Sequence, residues 1–120
     1  MIEVKITYSK KTYKSGRELF IYKDVIIKGH ASEGDLTSTK CCAGVTAITC
    51  GLMNIFDREC CDVTINKGLF TYHMKEYNNE INYAINALVY QLDSISMIYP
   101  KFFKDFIFIE EKNDVKTKIK

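Results

Sequence analysis

The sequence predicts an α+β fold, a two-layer sandwich in which two helices pack on one face of a mostly antiparallel sheet of about five strands, in the order β-β-α-β-β-α-β. Three observations carry this reading. Segments such as Met1–Tyr8 and Cys61–Asn66 alternate apolar and polar residues with the period of a strand that has one wet face. Two longer stretches, Cys42–Phe56 and Ile81–Tyr99, carry apolar residues at helical spacing. Glycine-containing or polar turns separate the neighbouring strands, as hairpins require.

Taken in order, Ile2, Val4, Ile6 and Tyr8 alternate with Glu3, Lys5 and Thr7 in the first strand. Ser9–Arg17 is polar and bends at Ser15-Gly16. Glu18–Lys28 returns as the second strand of a hairpin, with a bulge expected near Lys23-Asp24, where the alternation breaks. The central helix places Val45, Ile48, Leu52 and Ile55 on its sheet-facing side. A second row on that helix, Ala43, Ala47, Cys50 and Asn54, is mostly small and suits close approach of another helix, from this chain or from a second copy. Cys61–Asn66 and Leu69–Met74 form a second hairpin about Lys67-Gly68. The stripe Ile81, Ile85, Leu88, Leu92, Ile95 and Tyr99 marks the second helix as core, and Pro100 stops it. Phe106, Ile107, Phe108 and Ile109 read as a last strand buried on both faces. Residues 1–111 form one domain, and the polar segment 112–120 is expected to fray.

Composition sets the outer limits. A chain of 120 residues, 27% charged and 47% hydrophobic, is that of an ordinary globular domain. A formal net charge of +2 gives no argument for direct nucleic-acid binding. No apolar stretch is long enough to span a bilayer, so no membrane partner is expected, and the chain opens as a strand instead of a signal sequence, which points to the cytoplasm. Five cysteines in such a setting read as reduced thiols. The adjacent pairs Cys41-Cys42 and Cys60-Cys61 lack the spacing of a zinc knuckle, because neighbouring side chains diverge on a helix or strand. No metal or other cofactor is expected.

Chemistry concentrates in the stretch from Gly29 to Ala47. The β-branched run Asp24–Lys28 delivers His30 to the rim of the sheet, and Ser32–Thr39 has the turn and cap residues of a loop. With Ser38 or Thr39 as N-cap, Cys42 falls in the first turn of the central helix. Unpaired N–H groups and the positive dipole end there stabilise a thiolate, and a nearby imidazolium does so further. Such a pair attacks a carbonyl through sulfur and protonates the leaving amine through the imidazole. The bland reading is that a cysteine in an apolar helix serves the core. His73, in the second hairpin, is the other histidine; it reads as an exposed or hydrogen-bonded strand residue.

Asp-Val-Ile-Ile-Lys-Gly-His-Ala (residues 24–31), with Cys42-Ala43-Gly44-Val45-Thr46-Ala47 placing a cysteine twelve positions after the histidine, resembles the signature of the Prp ribosomal-processing cysteine proteases. The order of elements also agrees over nearly the whole chain. The resemblance implies a cysteine endopeptidase with His30 and Cys42 as the catalytic pair, the interval matching Cys42 and not Cys41. It aligns Gly29 with the glycine before the family histidine, and Thr46 with a serine four residues beyond the cysteine. Where the family carries Gly and Asp just ahead of the cysteine, this chain has Thr37 and Thr39, while Gly34 and Asp35 stand earlier in the loop. The substrate implied is the N-terminal extension of a large-subunit ribosomal protein, number twenty-seven, cut between an aromatic and a small residue. The implied assembly is a homodimer. Two other functions fit the residues: a non-catalytic ribosome-associated binding module of the same fold, and metal binding through the cysteine pairs.

Overall fold

The computed structural model describes residues 1–29, 40–41, 44–46, 59–66 and 68–112. Its sheet contains β1 (Ile2–Thr12), β2 (Glu18–Lys28), β3 (Cys61–Asn66), β4 (Leu69–Met74) and β5 (Phe103–Glu110). They lie side by side in the order β3-β4-β2-β1-β5. All neighbouring pairs are antiparallel except β1 with β5, which the crossover through the long helix (Asn79–Ile98) makes parallel. The expected α+β class and mostly antiparallel five-strand sheet are therefore what the chain adopts.

β1 runs four residues past Tyr8, beyond the strand expected from alternation. Lys10 and Lys11 are poor strand formers, which argues for a turn. Their partners offset this: Lys10 meets Glu18 at 2.9 Å, and the two ammonium groups lie 6.0 and 5.4 Å from the ring centroids of Phe20 and Tyr13. The bend is confined to Tyr13–Arg17, closed by the Tyr13 N–H on the Arg17 carbonyl at 2.8 Å.

The bulge sits where the alternation breaks. Thr7 pairs with Asp24 and Tyr8 with Tyr22, so Lys23 is the extra residue. Without it Tyr22 and Val25, three apart, would face opposite sides of the sheet; with it both are buried in one core. Across that face lie Ile2, Val4 and Ile6 of β1, Val25 and Ile27 of β2, Phe70 and Tyr72 of β4, and Cys61 of β3.

The long helix covers this face. Asn78 caps it, its side-chain oxygen accepting from the Ile81 N–H at 3.0 Å, and Pro100 opens a 3-10 turn (Pro100–Phe102) just past its end. Ile81, Ile85, Leu88 and Leu92 are buried, and Ile95 and Tyr99 pack on the core at half burial. Asn82 is buried too, and has a separate task. β4 accompanies β2 only along Asp24–Lys28, so nearer the hairpin bend β2 lacks a strand on that side. The Asn82 amide stands in for one: its oxygen accepts from the Tyr22 N–H at 3.0 Å and its nitrogen donates to the Phe20 carbonyl at 2.9 Å.

β5 corrects one expectation. It is an edge strand and is not buried on both faces: Ile107, Phe108 and Ile109 are 46, 49 and 38% exposed. Phe106 and Phe103 alone of its apolar residues pack against the core; Ile107 and Ile109 pair with Lys5 and Thr7 and so lie on the face away from the buried Val4 and Ile6.

Lys40, Cys41, Gly44, Val45 and Thr46 are helical and precede the long helix in the chain. Cys41 and Val45 join the same core cluster as the long helix. The rest of the expected central helix, including Ile48, Leu52, Ile55 and the row Ala43, Ala47, Cys50 and Asn54, lies outside the described residues, as does the segment beyond residue 112.

Candidate active site

Of the six residues that the sequence singles out for the site, Gly29 and Thr46 are described; His30, Gly34, Asp35 and Cys42 lie outside the described residues. The described geometry is that of the residues on either side of positions 30–39.

Gly29 follows the last residue of β2 with φ +97°, a conformation that side-chain-bearing residues rarely adopt. A Cβ there would run into the Met1 carbonyl oxygen. Its N–H donates to the Gly68 carbonyl at 2.9 Å. One residue, immediately before position 30, is thus held between the start of β1 and the β3–β4 turn. The physical reason for this glycine is a contact with a residue 28 positions away in the chain, which a single sequence does not display.

Beyond positions 30–39, Lys40 is exposed and Cys41 is wholly buried, 0% exposed, within the core. A thiol enclosed in that way has no access to a polypeptide, so Cys41 is a packing residue. Val45 is half-buried against the same core and Thr46 is exposed. A Cβ on Gly44 would lie 3.3 Å from Cδ1 of Ile95, so this turn rests closely on the long helix. Ile95, which the helical stripe marks as core, is thus also the residue against which Gly44 packs.

His73 stands apart from this region. It is paired across the strands with Asp24, and its Nδ1 lies 2.7 Å from Asp24 Oδ1 on the solvent face of the sheet, with side chains 59 and 37% exposed. The pairing follows from register, which a single sequence does not display. Cys61 is buried, and Cys60 is half-buried with its Sγ 3.9 Å from the Asn78 side-chain nitrogen. Among the described residues no group of three or more His, Cys, Asp or Glu side chains is arranged to hold a metal ion. None of the described helices is long and apolar enough to cross a membrane.

A family model described as "Cysteine protease Prp" matches residues 1–104. By sequence, no curated protein matches the chain. Among solved structures the chain is similar to the ribosomal processing protease Prp of S. aureus with a substrate peptide, at 22% identity and a TM-score of 0.64, covering 92% of this chain and 100% of that one. The same S. aureus protease with a covalently linked product peptide matches at 23% identity and a TM-score of 0.65, with the same coverage. SMU.848 from Streptococcus mutans matches at 17% identity and a TM-score of 0.64, over 92% of this chain and 96% of that one. At these identities the structural likeness establishes the fold.

Proposed function

Because the chain belongs to the Prp family of cysteine proteases, we propose that it is an endopeptidase that trims the N-terminal extension of a large-subunit ribosomal protein, number twenty-seven, with Cys42 as nucleophile and His30 as general base and acid. Its substrate is an extended peptide with an aromatic residue before the cut and a small one after it. The protein works in the cytoplasm, as a homodimer.

The observation that carries this reading is the division of labour at the Cys41-Cys42 pair. Cys41 is enclosed in the core and spent on packing, which leaves Cys42, the cysteine at the family's interval from His30, as the nucleophile. Helical backbone at Lys40 and Cys41 favours a thiolate close by, since the first turn of a helix presents unpaired N–H groups. Gly29, the residue before His30, has the constrained backbone that suits a family glycine at that position.

In the reaction so assigned, the Cys42 thiolate attacks the scissile carbonyl carbon and the carbonyl π electrons move to oxygen. Backbone N–H groups of the helical turn receive the oxyanion. Collapse of the tetrahedral intermediate expels the amine, which takes its proton from the His30 imidazolium, leaving a thioester. His30, now neutral, removes a proton from water as the water attacks the thioester; collapse of the second tetrahedral intermediate breaks the C–S bond, releases the carboxylic acid product and restores the Cys42 thiolate beside the His30 imidazolium. Gly34 and Asp35 are assigned to substrate contact by their place in the sequence between His30 and Cys42, and Thr46 is exposed on the helical turn.

Alkylation tests the nucleophile directly. Iodoacetamide at neutral pH, followed by peptide mapping, is expected to modify Cys42 first and to do so more slowly in His30→Ala. Modification of Cys42 at the rate of an ordinary thiol in both proteins contradicts the assignment and favours the non-catalytic binding module, a reading that the substitutions Thr37 and Thr39 support.

A further inference from the structure

The far end of the sheet holds a cleft that the peptidase reading does not use. It has a volume of about 150 Å³ and is lined by Tyr8, Phe20, Tyr22, Val89, Tyr90, Asp93 and Phe108. Along β1, Tyr8 is six residues from Ile2, which places the cleft roughly 20 Å from the Met1–Gly29 end of the sheet.

Tyr22 and Val89 are buried and form the floor; Phe20, Phe108, Tyr90 and Asp93 are exposed around the mouth. The walls are aromatic and set at angles to one another: the Tyr8 ring is 5.3 Å from Phe20 at 49° and 6.4 Å from Phe108 at 79°. The floor is fixed by the Tyr22 hydroxyl, which donates to Asn86 Oδ1 at 2.6 Å. A space of this size admits one ring-sized or side-chain-sized guest and no drug-sized ligand.

Charge decides what kind of guest. Asp93 lines the cleft, and Glu110 meets the Tyr8 hydroxyl at 3.3 Å; neither makes an ion pair among the described residues. The cation beside this cluster, Lys10, is engaged with Glu18 at 2.9 Å and already lies 6.0 Å from the Phe20 ring centroid. Lys10 also feels the Glu110 carboxylate, which leaves Asp93 as the rim carboxylate with no ion pair among the described residues. Aromatic faces beside such a carboxylate attract a cation, and a planar guanidinium gains most because it stacks on rings while its N–H groups reach carboxylate oxygens.

We propose that this cleft binds an arginine side chain presented by a polypeptide partner, with Tyr8, Phe20, Tyr90 and Phe108 as the aromatic walls and Asp93 as the carboxylate at the rim. The proposal stands independently of the peptidase assignment, because none of these residues takes part in that site.

The test uses the full chain and NMR of its ring protons, titrated with the capped tripeptide acetyl-Gly-Arg-Gly-amide, the same peptide with citrulline in place of arginine, and tetramethylammonium. The arginine peptide is expected to bind in the millimolar range, with shifts concentrated on Tyr8, Phe20, Tyr90 and Phe108, and the citrulline peptide about tenfold or more weakly. Asp93→Asn and Tyr90→Leu, both at exposed positions and each checked for an unchanged amide spectrum, are expected to weaken arginine binding by about fivefold or more. Equal binding of the citrulline and arginine peptides overturns the proposal, as do shifts scattered over the surface or unchanged affinity in both variants. Tighter binding of tetramethylammonium than of the arginine peptide also overturns it, in favour of a small quaternary ammonium ligand.

Discussion

The Gly29 N–H donates to the Gly68 carbonyl at 2.9 Å, tying the end of β2 to the β3–β4 turn at the point where the chain departs toward position 30. This contact and the positive φ of Gly29 constrain the backbone at the residue just before position 30, and the Met1 carbonyl oxygen occupies the space that a Cβ there would need.

Gly29→Ala is therefore expected to be costly, since the new methyl meets a backbone carbonyl that cannot swing aside as a side chain does. A loss of about 2 kcal/mol or more in urea unfolding is expected, together with a fall in peptidase activity measured at a temperature where the variant is still folded. A variant with unchanged stability would show that the Met1 end of β1 yields freely.

Asn82→Leu keeps the volume and removes both hydrogen bonds to β2. It leaves the Tyr22 N–H and the Phe20 carbonyl without their side-chain partner in a buried setting, a loss of about 2–4 kcal/mol. Asn82→Asp is expected to fall between the two, because it keeps an acceptor for Tyr22 and loses the donor to Phe20. Equilibrium unfolding of the three proteins ranks them.

Alkaline pH probes the same corner. Burial, with smaller contributions from Tyr90 and Tyr8, pushes the Tyr22 hydroxyl from 10.0 up to about 12. Between these values the unfolded chain loses a proton that the folded chain keeps, so the unfolded state binds fewer protons and stability falls as pH rises. Tyr22→Phe removes this group and is expected to flatten the decline over that window, at some cost at neutral pH from the lost bond to Asn86. Identical slopes for the two proteins contradict the assignment to Tyr22. Tyr72 is also raised by burial, so part of the slope remains in the variant.

His73→Ala separates the two histidines. An exposed pair such as His73–Asp24 contributes about 0–1 kcal/mol, so stability is expected to change little and peptide cleavage to stay within about twofold of the parent. Loss of cleavage in this variant would move the general base from His30 to His73.

Much of this fold can be read from one sequence, and the reasons differ by element. The helical stripe from Ile81 to Tyr99 is long and strongly periodic, and its residues occupy the core or its margin as expected. The bulge at Lys23 follows from a break in alternation that only an extra residue repairs. The apolar run in β5 misleads, because hydrophobicity on both sides of a strand resembles two-sided burial, whereas its place at the sheet edge follows from the crossover. Asn82 escapes the pattern altogether, since an isolated polar residue in a helix is ordinarily a surface residue. At the site, the role of Gly29 was visible as an alignment and its physical cause was not, while His30 and Cys42 rest on the sequence and the family.

The most direct test of the account is cleavage of a peptide with an aromatic-to-small junction, read by mass spectrometry, for the parent protein, Cys42→Ala, His30→Ala and Cys41→Ala. The account predicts cutting at that junction by the parent, none by Cys42→Ala or His30→Ala, and retained cutting by folded Cys41→Ala despite a stability loss of about 1–2 kcal/mol from its core cavity. Cutting that survives Cys42→Ala, or no cutting by the parent, contradicts it.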